Sequence, residues 1–161
     1  MTWIEAEHQR TFEVKAPLET VAQFLSDPSQ IRLCMPALET GEQVDEQTWR
    51  WILKEEGAKK ISFQGDYTVR YQRDDDDVVT WKSEGEGTMR TEGRAELEEL
   101  DAGRTRVEYE ETLASDLPIP RLARRVFGPI VERKVRAGVD DYLDEVIAYL
   151  EAGAEQGDAG S

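Results

Sequence analysis

The chain changes its hydrophobic period once, near residue 118, and this change limits the folds that it can adopt. Before that point, apolar and polar residues alternate in one segment after another, which is typical of β-strands with one buried face. After it, apolar residues recur every three to five positions from Ile119 to about Leu150, which predicts one long amphipathic helix. Gly128-Pro129 interrupts this stripe and predicts a kink or a restart, because proline removes a backbone hydrogen bond.

Two short helices are predicted between the first strand and the other strands. Helical spacing follows the first strand in residues 18–25 and 29–35, on either side of Asp27-Pro28. About six strands then form an antiparallel meander, with one long strand over residues 60–73 and a solvated hairpin tip at residues 74–77. The sequence therefore predicts an α+β helix-grip fold. A seven-stranded curved antiparallel sheet surrounds the long C-terminal helix, and the two short helices lie between strands 1 and 2.

Composition narrows the classes of function. The 161 residues carry a formal charge of −15, which should repel nucleic-acid phosphates and anionic lipid surfaces, so no nucleic-acid partner is predicted. Many carboxylates with little lysine also suggest adaptation to high salt, although an ordinary acidic protein would look the same. A single cysteine, Cys34, and the lack of a secretion signal or a membrane-spanning run predict a cytoplasmic protein. We expect one domain over residues 1–152 and a mobile polar tail over residues 153–161.

The segment from Phe12 to Glu39 resembles the opening of START-like proteins, the polyketide cyclase and lipid-transport (SRPBCC) superfamily. It contains a strand, an Ala-Pro junction, a short helix with Val and Phe, and then Asp27-Pro28. The turn Cys34-Met35-Pro36-Ala37-Leu38-Glu39 resembles the Cys-apolar-Pro-Gly-x-Glu turn of the carbon monoxide dehydrogenase G-subunit family, with Ala37 in place of glycine. The resemblance covers about residues 3 to 152. It implies a cavity between sheet and helix that takes an apolar ligand.

The motifs of metal, cofactor and nucleophile chemistry do not occur in the sequence. One histidine and one cysteine give no zinc spacing, and the glycine-rich segment 85–93 lacks the ending of a phosphate loop. No Gly-x-Ser-x-Gly elbow accompanies His8. We therefore predict no cofactor and no metal, and we expect Cys34 to be a packed, inert thiol.

Glu111 is an exception on a face that should be buried. It alternates with Val107, Tyr109 and Leu113 on the last strand. An unpaired buried carboxylate is costly, so it should find a cation or stay protonated. Arg10 is the predicted partner, because the first and last strands of such a sheet pair antiparallel. Three roles stay open: a salt bridge that binds nothing, a polar anchor for a ligand, or acid–base catalysis together with His8 or Tyr109.

The predicted ligand-binding residues are mostly aromatic and apolar. They face inward from the strands or lie near the start of the long helix: Arg10, Trp49, Trp51, Phe63, Tyr67, Trp81, Met89, Thr91, Tyr109, Glu111, Leu122, Val126, Phe127 and Ile130. Glycines at 65, 85 and 93 among the rings suggest a surface with relief. Met89 and the four helix residues are expected to close one end, with residues 117–128 as a candidate lid.

The same segment is the most basic stretch of the sequence. Arg121, Arg124 and Arg125 lie within it. Either these arginines are simply the solvent-exposed face of a helix, or they make a transient contact with a membrane or an acidic partner.

Three hypotheses of function follow. The first is a non-enzymatic binding or carrier protein for a hydrophobic, lipid- or quinone-like small molecule. The second is a polyketide cyclase/dehydratase-type enzyme that uses Glu111 with His8 or Tyr109. The third, implied by the resemblance to the carbon monoxide dehydrogenase family, is an accessory component of a carbon monoxide dehydrogenase-like molybdenum hydroxylase. The sequence makes no prediction of oligomeric state.

Overall fold

The computed structural model describes residues 2–58 and 61–159. The strands of the main sheet are β1 (Thr2–Val14), β2 (Leu38–Gln43), β3 (Thr48–Leu53), β6 (Asp66–Asp75), β7 (Val78–Glu84), β8 (Met89–Asp101) and β9 (Arg104–Leu117). A separate ribbon consists of β4 (Glu56–Ala58) and β5 (Ile61–Phe63). The helices are α1 (Leu18–Leu25), α2 (Pro28–Ile31) and α3 (Arg124–Ala159), with single 3₁₀ turns at Arg32–Cys34 and Arg121–Ala123. No helix within the described ranges is long and apolar enough to cross a membrane.

The seven-stranded antiparallel sheet confirms the prediction. Its order is β1-β9-β8-β7-β6-β3-β2, so the first and last strands are hydrogen-bonded neighbours. The long strand predicted over residues 60–73 is divided: Lys60 lies outside the described residues, and β5 pairs with β4 rather than with the main sheet. The chain rejoins the sheet after Gly65. Leu53 and Met89 pack against this glycine so closely that a Cβ would displace them.

The two short helices lie where the sequence places them, between β1 and β2. Asp27 begins α2 by accepting a hydrogen bond from the backbone N–H of Ser29 at 3.0 Å, and Pro28 occupies the first helical position. α1 buries Val21, Phe24 and other apolar residues against the end of the sheet. Together they cap one end of the core.

The C-terminal half of α3 covers the concave face of the sheet. Val139, Leu143, Val146 and Leu150 are buried at helical spacing and belong to one core cluster with side chains of every strand of the main sheet except β2. Each such side chain stabilises the fold by about 1.5–3 kcal/mol when fully buried. This confirms the predicted stripe and the helix-grip arrangement.

The start and end of α3 differ from the prediction. The helix begins at Arg124 and passes through Pro129 without a break, so the predicted restart is wrong. Pro129 is exposed, and water can solvate the one carbonyl that loses its partner. At the other end, α3 continues to Ala159, so residues 153–159 of the predicted tail are helical. Residues 160 and 161 of that tail lie outside the described residues.

Candidate functional site

One row of residues crosses four neighbouring strands under α3. Trp81 pairs with Gly93, Gly93 with Glu111, and Glu111 with His8. A Cβ at Gly93 would overlap the indole ring of Trp81. Because the glycine has no side chain, the ring of Trp81 lies across it and reaches Glu111 on the next strand.

The carboxylate of Glu111 accepts three hydrogen bonds from neutral donors. Trp81 Nε1 lies 3.0 Å and Thr91 Oγ1 2.5 Å from Oε2, while Tyr109 Oη lies 2.9 Å from Oε1. We call these four residues the Glu111 cluster. Burial raises the pKa of Glu111 above its usual value, although the three hydrogen bonds and nearby His8 act in the opposite direction. The carboxylate is thus stabilised mainly by dipoles, and desolvation is the larger effect.

Arg10 is not the partner of Glu111, contrary to the prediction. Its guanidinium lies 2.8 Å from Asp144 and 3.4 Å from Asp140 on α3. His8 Nε2 lies 2.8 Å from the same Asp140 carboxylate. Both side chains stand on β1, directly beneath α3, where the helix carboxylates are nearer than Glu111. These contacts of His8 and Arg10 hold the helix against the edge strand β1, and Glu111 keeps only its neutral donors.

Four tyrosines lie within electrostatic reach of Glu111: Tyr67, Tyr71, Tyr109 and Tyr142. Burial raises the pKa of each phenol, and the negative charge of Glu111 raises it further. Tyr109 donates to Glu111, and Tyr71 Oη accepts from Trp51 Nε1 at 3.0 Å. Within residues 2–58 and 61–159, the hydroxyls of Tyr67 and Tyr142 make no hydrogen bond to the protein.

Tyr71 and Tyr142 were missed among the predicted site residues. Strand alternation puts Tyr71 on the inward face, and Tyr142 lies on the apolar stripe of α3 between Val139 and Val146. Both positions were therefore visible in the pattern as core. What the pattern did not show was their closeness to Glu111, which depends on how α3 sits over the sheet.

The strand residues that were predicted to face inward do so. Six of these side chains are buried: Trp51, Tyr67, Trp81, Met89, Thr91 and Tyr109. Trp49 and Phe63 are partly buried. Trp49 stacks on Trp51 with ring centroids 5.6 Å apart, and its buried indole N–H has no partner among the described residues.

Two of the three predicted glycines do not leave open relief on this face. The space beside Gly93 is filled by Trp81, and that beside Gly65 by Met89 and Leu53. Gly85 has a φ of 72° and forms a turn. The rings of Trp51, Tyr67, Tyr71, Trp81 and Tyr109 are buried on the concave side of the sheet.

Three of the predicted ligand-binding residues, at the start of α3 and in the turn before it, are exposed to solvent. Leu122, Val126 and Ile130 are 93%, 66% and 52% exposed, so they do not close the interior. The inner side of the helix here belongs instead to Phe127 and its neighbours. Phe127 packs in a second apolar cluster, which contains Ile4, Ile61, Phe63, Leu117, Ile119, Ala123 and Val131.

Two of the surface pockets are lined mainly by side chains of the outer face of the sheet, although the lining of the larger one also includes His8, Trp81, Gly93 and Glu111. The larger has a volume of about 770 Å³ and is lined largely by polar side chains such as Arg70, Lys82, Glu92 and Arg94. The smaller, of about 240 Å³, lies beside Arg94 and the neighbouring glutamates. These pockets are too polar for the predicted apolar ligand. No group of three or more potential metal ligands occurs in the described part of the chain.

The comparison with protein families decides which family the sequence represents. Residues 5–151 match the profile described as polyketide cyclase/dehydrase and lipid transport. The chain belongs to this family. The match covers nearly the entire helix-grip domain and confirms the superfamily that residues 12–39 resemble. No curated protein is similar enough to the sequence to match it.

Solved structures of similar fold come from several bacteria. An aromatase/cyclase, ZhuI from Streptomyces sp. R1128, is 18% identical with a TM-score of 0.65, and the match covers 94% of each chain. A conserved protein of Geobacillus kaustophilus is 17% identical with a TM-score of 0.68, over 89% of this chain and 94% of that one. A START superfamily protein of Mycobacterium smegmatis is 18% identical with a TM-score of 0.62, over 93% and 97%. At these identities the similarity shows the family's fold and does not assign a ligand.

Proposed function

We propose that this chain is a binding or carrier protein for a hydrophobic small molecule, which it holds between the sheet and α3. The observation that carries the proposal is the pair of tyrosines, Tyr67 and Tyr142, which lie within electrostatic reach of Glu111 and whose hydroxyls form no hydrogen bond with a described residue. They lie in an interior that is otherwise aromatic and aliphatic. Ligand sites for apolar molecules combine such a lining with a few polar groups that fix orientation.

The unpartnered groups indicate the chemistry of the ligand's polar end. The two tyrosine hydroxyls can donate hydrogen bonds, and the buried N–H of Trp49 can only donate. The carboxylate of Glu111 would repel an anionic head group in the same space. A neutral acceptor such as a carbonyl oxygen satisfies all of these conditions. A lipid ester or a quinone provides that acceptor on an apolar body.

We expect the start of α3 to move on binding, because the second apolar cluster packs under it and aromatic rings line the core beyond. At this end α3 is attached by half-buried side chains and by two exposed polar contacts, an ion pair in which Lys134 Nζ lies 3.6 Å from Glu56 and a hydrogen bond from Arg136 to the backbone oxygen of Glu7. Exposed pairs of this kind contribute about 0–1 kcal/mol. Polar contacts thus add little to the attachment of the β4–β5 ribbon and the first turns of α3, and we infer that a ligand enters between them.

A fluorescence titration tests the proposal with a short-chain prenylated naphthoquinone as the probe. We expect saturable quenching of tryptophan fluorescence, because Trp49, Trp51 and Trp81 surround the site. The double variant Tyr67→Phe/Tyr142→Phe should bind about thirtyfold more weakly, since it loses two hydrogen bonds that contribute about 1 kcal/mol each. Tyr149→Phe, at a tyrosine that is 41% exposed, is the matched control. Absence of quenching, or equal affinity in the double variant and the control, would contradict the proposal.

A cyclase/dehydratase-type enzyme is the second candidate, and the Glu111 cluster favours it. A buried carboxyl group whose pKa is raised, with a tyrosine hydroxyl 2.9 Å away, is a pairing that acid–base catalysis uses. His8 is engaged with Asp140, which leaves Glu111 and Tyr109 as the acid–base pair. Under this hypothesis, Glu111→Gln abolishes turnover of a poly-β-ketone substrate while binding stays within about threefold of that of the unaltered protein.

The accessory role implied by the resemblance to the carbon monoxide dehydrogenase family stays a prediction. The turn on which it rests contains Cys34, which is buried and packs against α3 with Sγ 3.8 Å from the carbonyl oxygen of Glu145. Burial raises the pKa of this thiol to about 11, so it is protonated and unreactive at neutral pH. The turn thus has a packing role that needs no dehydrogenase. Copurification of a molybdenum hydroxylase with the tagged chain from its own host would support the accessory role.

A further inference from the structure

The first half of α3, with the turn before it, reverses the charge of the protein. Residues 121–136 contain six basic residues and one acidic residue, although the chain as a whole carries −15. Residues 139–159 contain seven acidic residues and no basic ones. α3 therefore separates charge along its length, with the basic end at its N-terminus.

This arrangement does not serve the stability of the helix. The N-terminus of a helix carries a partial positive charge, so basic residues there are unfavourable and acidic ones favourable. Arg124 and Arg125, the first two residues of α3, stand where the dipole opposes them. Such a reversal needs another explanation.

Ion pairing within the protein does not explain why this end of α3 is basic. Elsewhere most arginines have carboxylate partners, with salt bridges of 3.3 Å or less at Arg10, Arg50, Arg73, Arg94 and Arg106. In the basic half, Lys134 contacts Glu56, and Arg136 donates to the backbone oxygen of Glu7. The other four form no salt bridge with any described residue: Arg121, Arg124, Arg125 and Arg133.

An apolar stripe runs between these arginines. Val126 and Ile130 lie one turn apart on the same side of α3, Leu122 precedes them in the 3₁₀ turn, and all three are more than half exposed. Leu122, at 93%, makes almost no contact with the rest of the protein. Exposed large apolar residues are few elsewhere in the described chain, and none of the others forms such a stripe.

We propose that this basic apolar surface, formed by Arg121, Leu122, Arg124, Arg125, Val126, Ile130 and Arg133, docks on an anionic lipid bilayer. Aliphatic side chains on one side of a helix insert at the boundary of the acyl chains, and flanking arginines bind lipid phosphates. An acidic protein partner would match the arginines but gives no specific reason for three aliphatic side chains in a line. A bilayer uses both features.

The overall acidity orients this docking. A charge of −15 repels an anionic surface from every other side, and the repulsion decays within about 10 Å at 0.1 M salt. The protein then approaches with the start of α3 first. In that orientation the second apolar cluster, which opens for the proposed ligand, lies directly behind the docked turns of α3.

Vesicle sedimentation tests the inference, without any ligand. We expect the full chain to sediment with phosphatidylglycerol/phosphatidylcholine vesicles and to remain in solution with phosphatidylcholine alone. Arg121→Gln/Arg124→Gln/Arg125→Gln should bind about a hundredfold more weakly, because each basic residue near an anionic surface adds roughly fivefold to affinity. Leu122→Ser/Val126→Ser should also lose binding. Leu33→Ser/Val44→Ser is the matched control, since Leu33 and Val44 are 54% and 61% exposed elsewhere.

All substituted side chains are exposed, and circular dichroism of each variant confirms that it is folded. The inference is overturned if the protein binds neither kind of vesicle. It is also overturned if the control loses binding as strongly as Leu122→Ser/Val126→Ser. Binding to polyglutamate at the same ionic strength, without binding to vesicles, would assign the surface to an acidic protein and also overturn it. Because no ligand is present, a negative result here leaves the ligand-binding proposal standing.

Discussion

The two halves of α3 hold the sheet in different ways. Over residues 139–150, four side chains are buried in the core, and Asp140 and Asp144 bind His8 and Arg10 on β1. Over residues 124–135, the inner side chains are only partly buried, and the outer ones are exposed and basic. The same helix is thus fixed at one end and lightly held at the other. Firm packing protects the Glu111 cluster, and the lightly held end provides access to it.

The largest expected difference between the halves is in packing energy. Leu143 is fully buried, so Leu143→Ala should lower the free energy of unfolding by about 2–5 kcal/mol. Val131→Ala, at a partly buried position in the other half, should cost less than about 1 kcal/mol. Urea denaturation of the two variants measures both values. Similar losses would mean that the two halves are held equally firmly.

Gly93→Ala should show how tightly the side chains under the firmly packed half of α3 are packed. A methyl group there would overlap the ring of Trp81, which must then move and lose its hydrogen bond to Glu111. We expect a loss of about 2 kcal/mol, in the range of overpacked core substitutions. Gly138→Ala is the control, because nothing lies near that position on α3, and it should stabilise the helix by up to about 1 kcal/mol. A neutral effect of Gly93→Ala would show that the ring has room to move.

The smallest effect concerns the ionisation of Glu111. Since burial raises its pKa in the folded protein, its contribution to stability is full below the usual value of 4.5 and is lost as the pH rises through the raised value. The stability of the unaltered protein relative to Glu111→Gln should therefore fall with increasing pH and then level off. Denaturation curves of both proteins at several pH values give this difference. A difference that is constant with pH would mean that water reaches the carboxylate.

Much of the fold could be predicted because two hydrophobic periods mark it directly. Strand alternation up to Leu117 and the stripe from Val139 to Leu150 determine the sheet, the helix and their contact. The start of α3 could not be predicted in the same way. Leu122, Val126 and Ile130 have helical spacing but face solvent, and periodicity does not tell a buried stripe from an exposed one.

The site was predictable in its members but not in its pairings. Alternation placed Glu111 and the rings on the inward face, and the pairing of β1 with β9 brought Glu111 beside His8. The predicted partner of Glu111 was wrong, because Arg10 forms its ion pairs with Asp140 and Asp144 instead. Those carboxylates lie about 130 residues away along the chain. Only the tertiary position of α3 decides which of them β1 meets.

The central claim is that an apolar ligand binds on the inner side of the sheet, beside Tyr67 and Tyr142. Intermolecular NOEs between the prenylated naphthoquinone and protein labelled at tyrosine and threonine test it most directly. The account predicts NOEs from quinone protons to the rings of Tyr67 and Tyr142 and none to Tyr149. NOEs to Thr80 and Thr112, which line the polar pocket on the outer face, would contradict it.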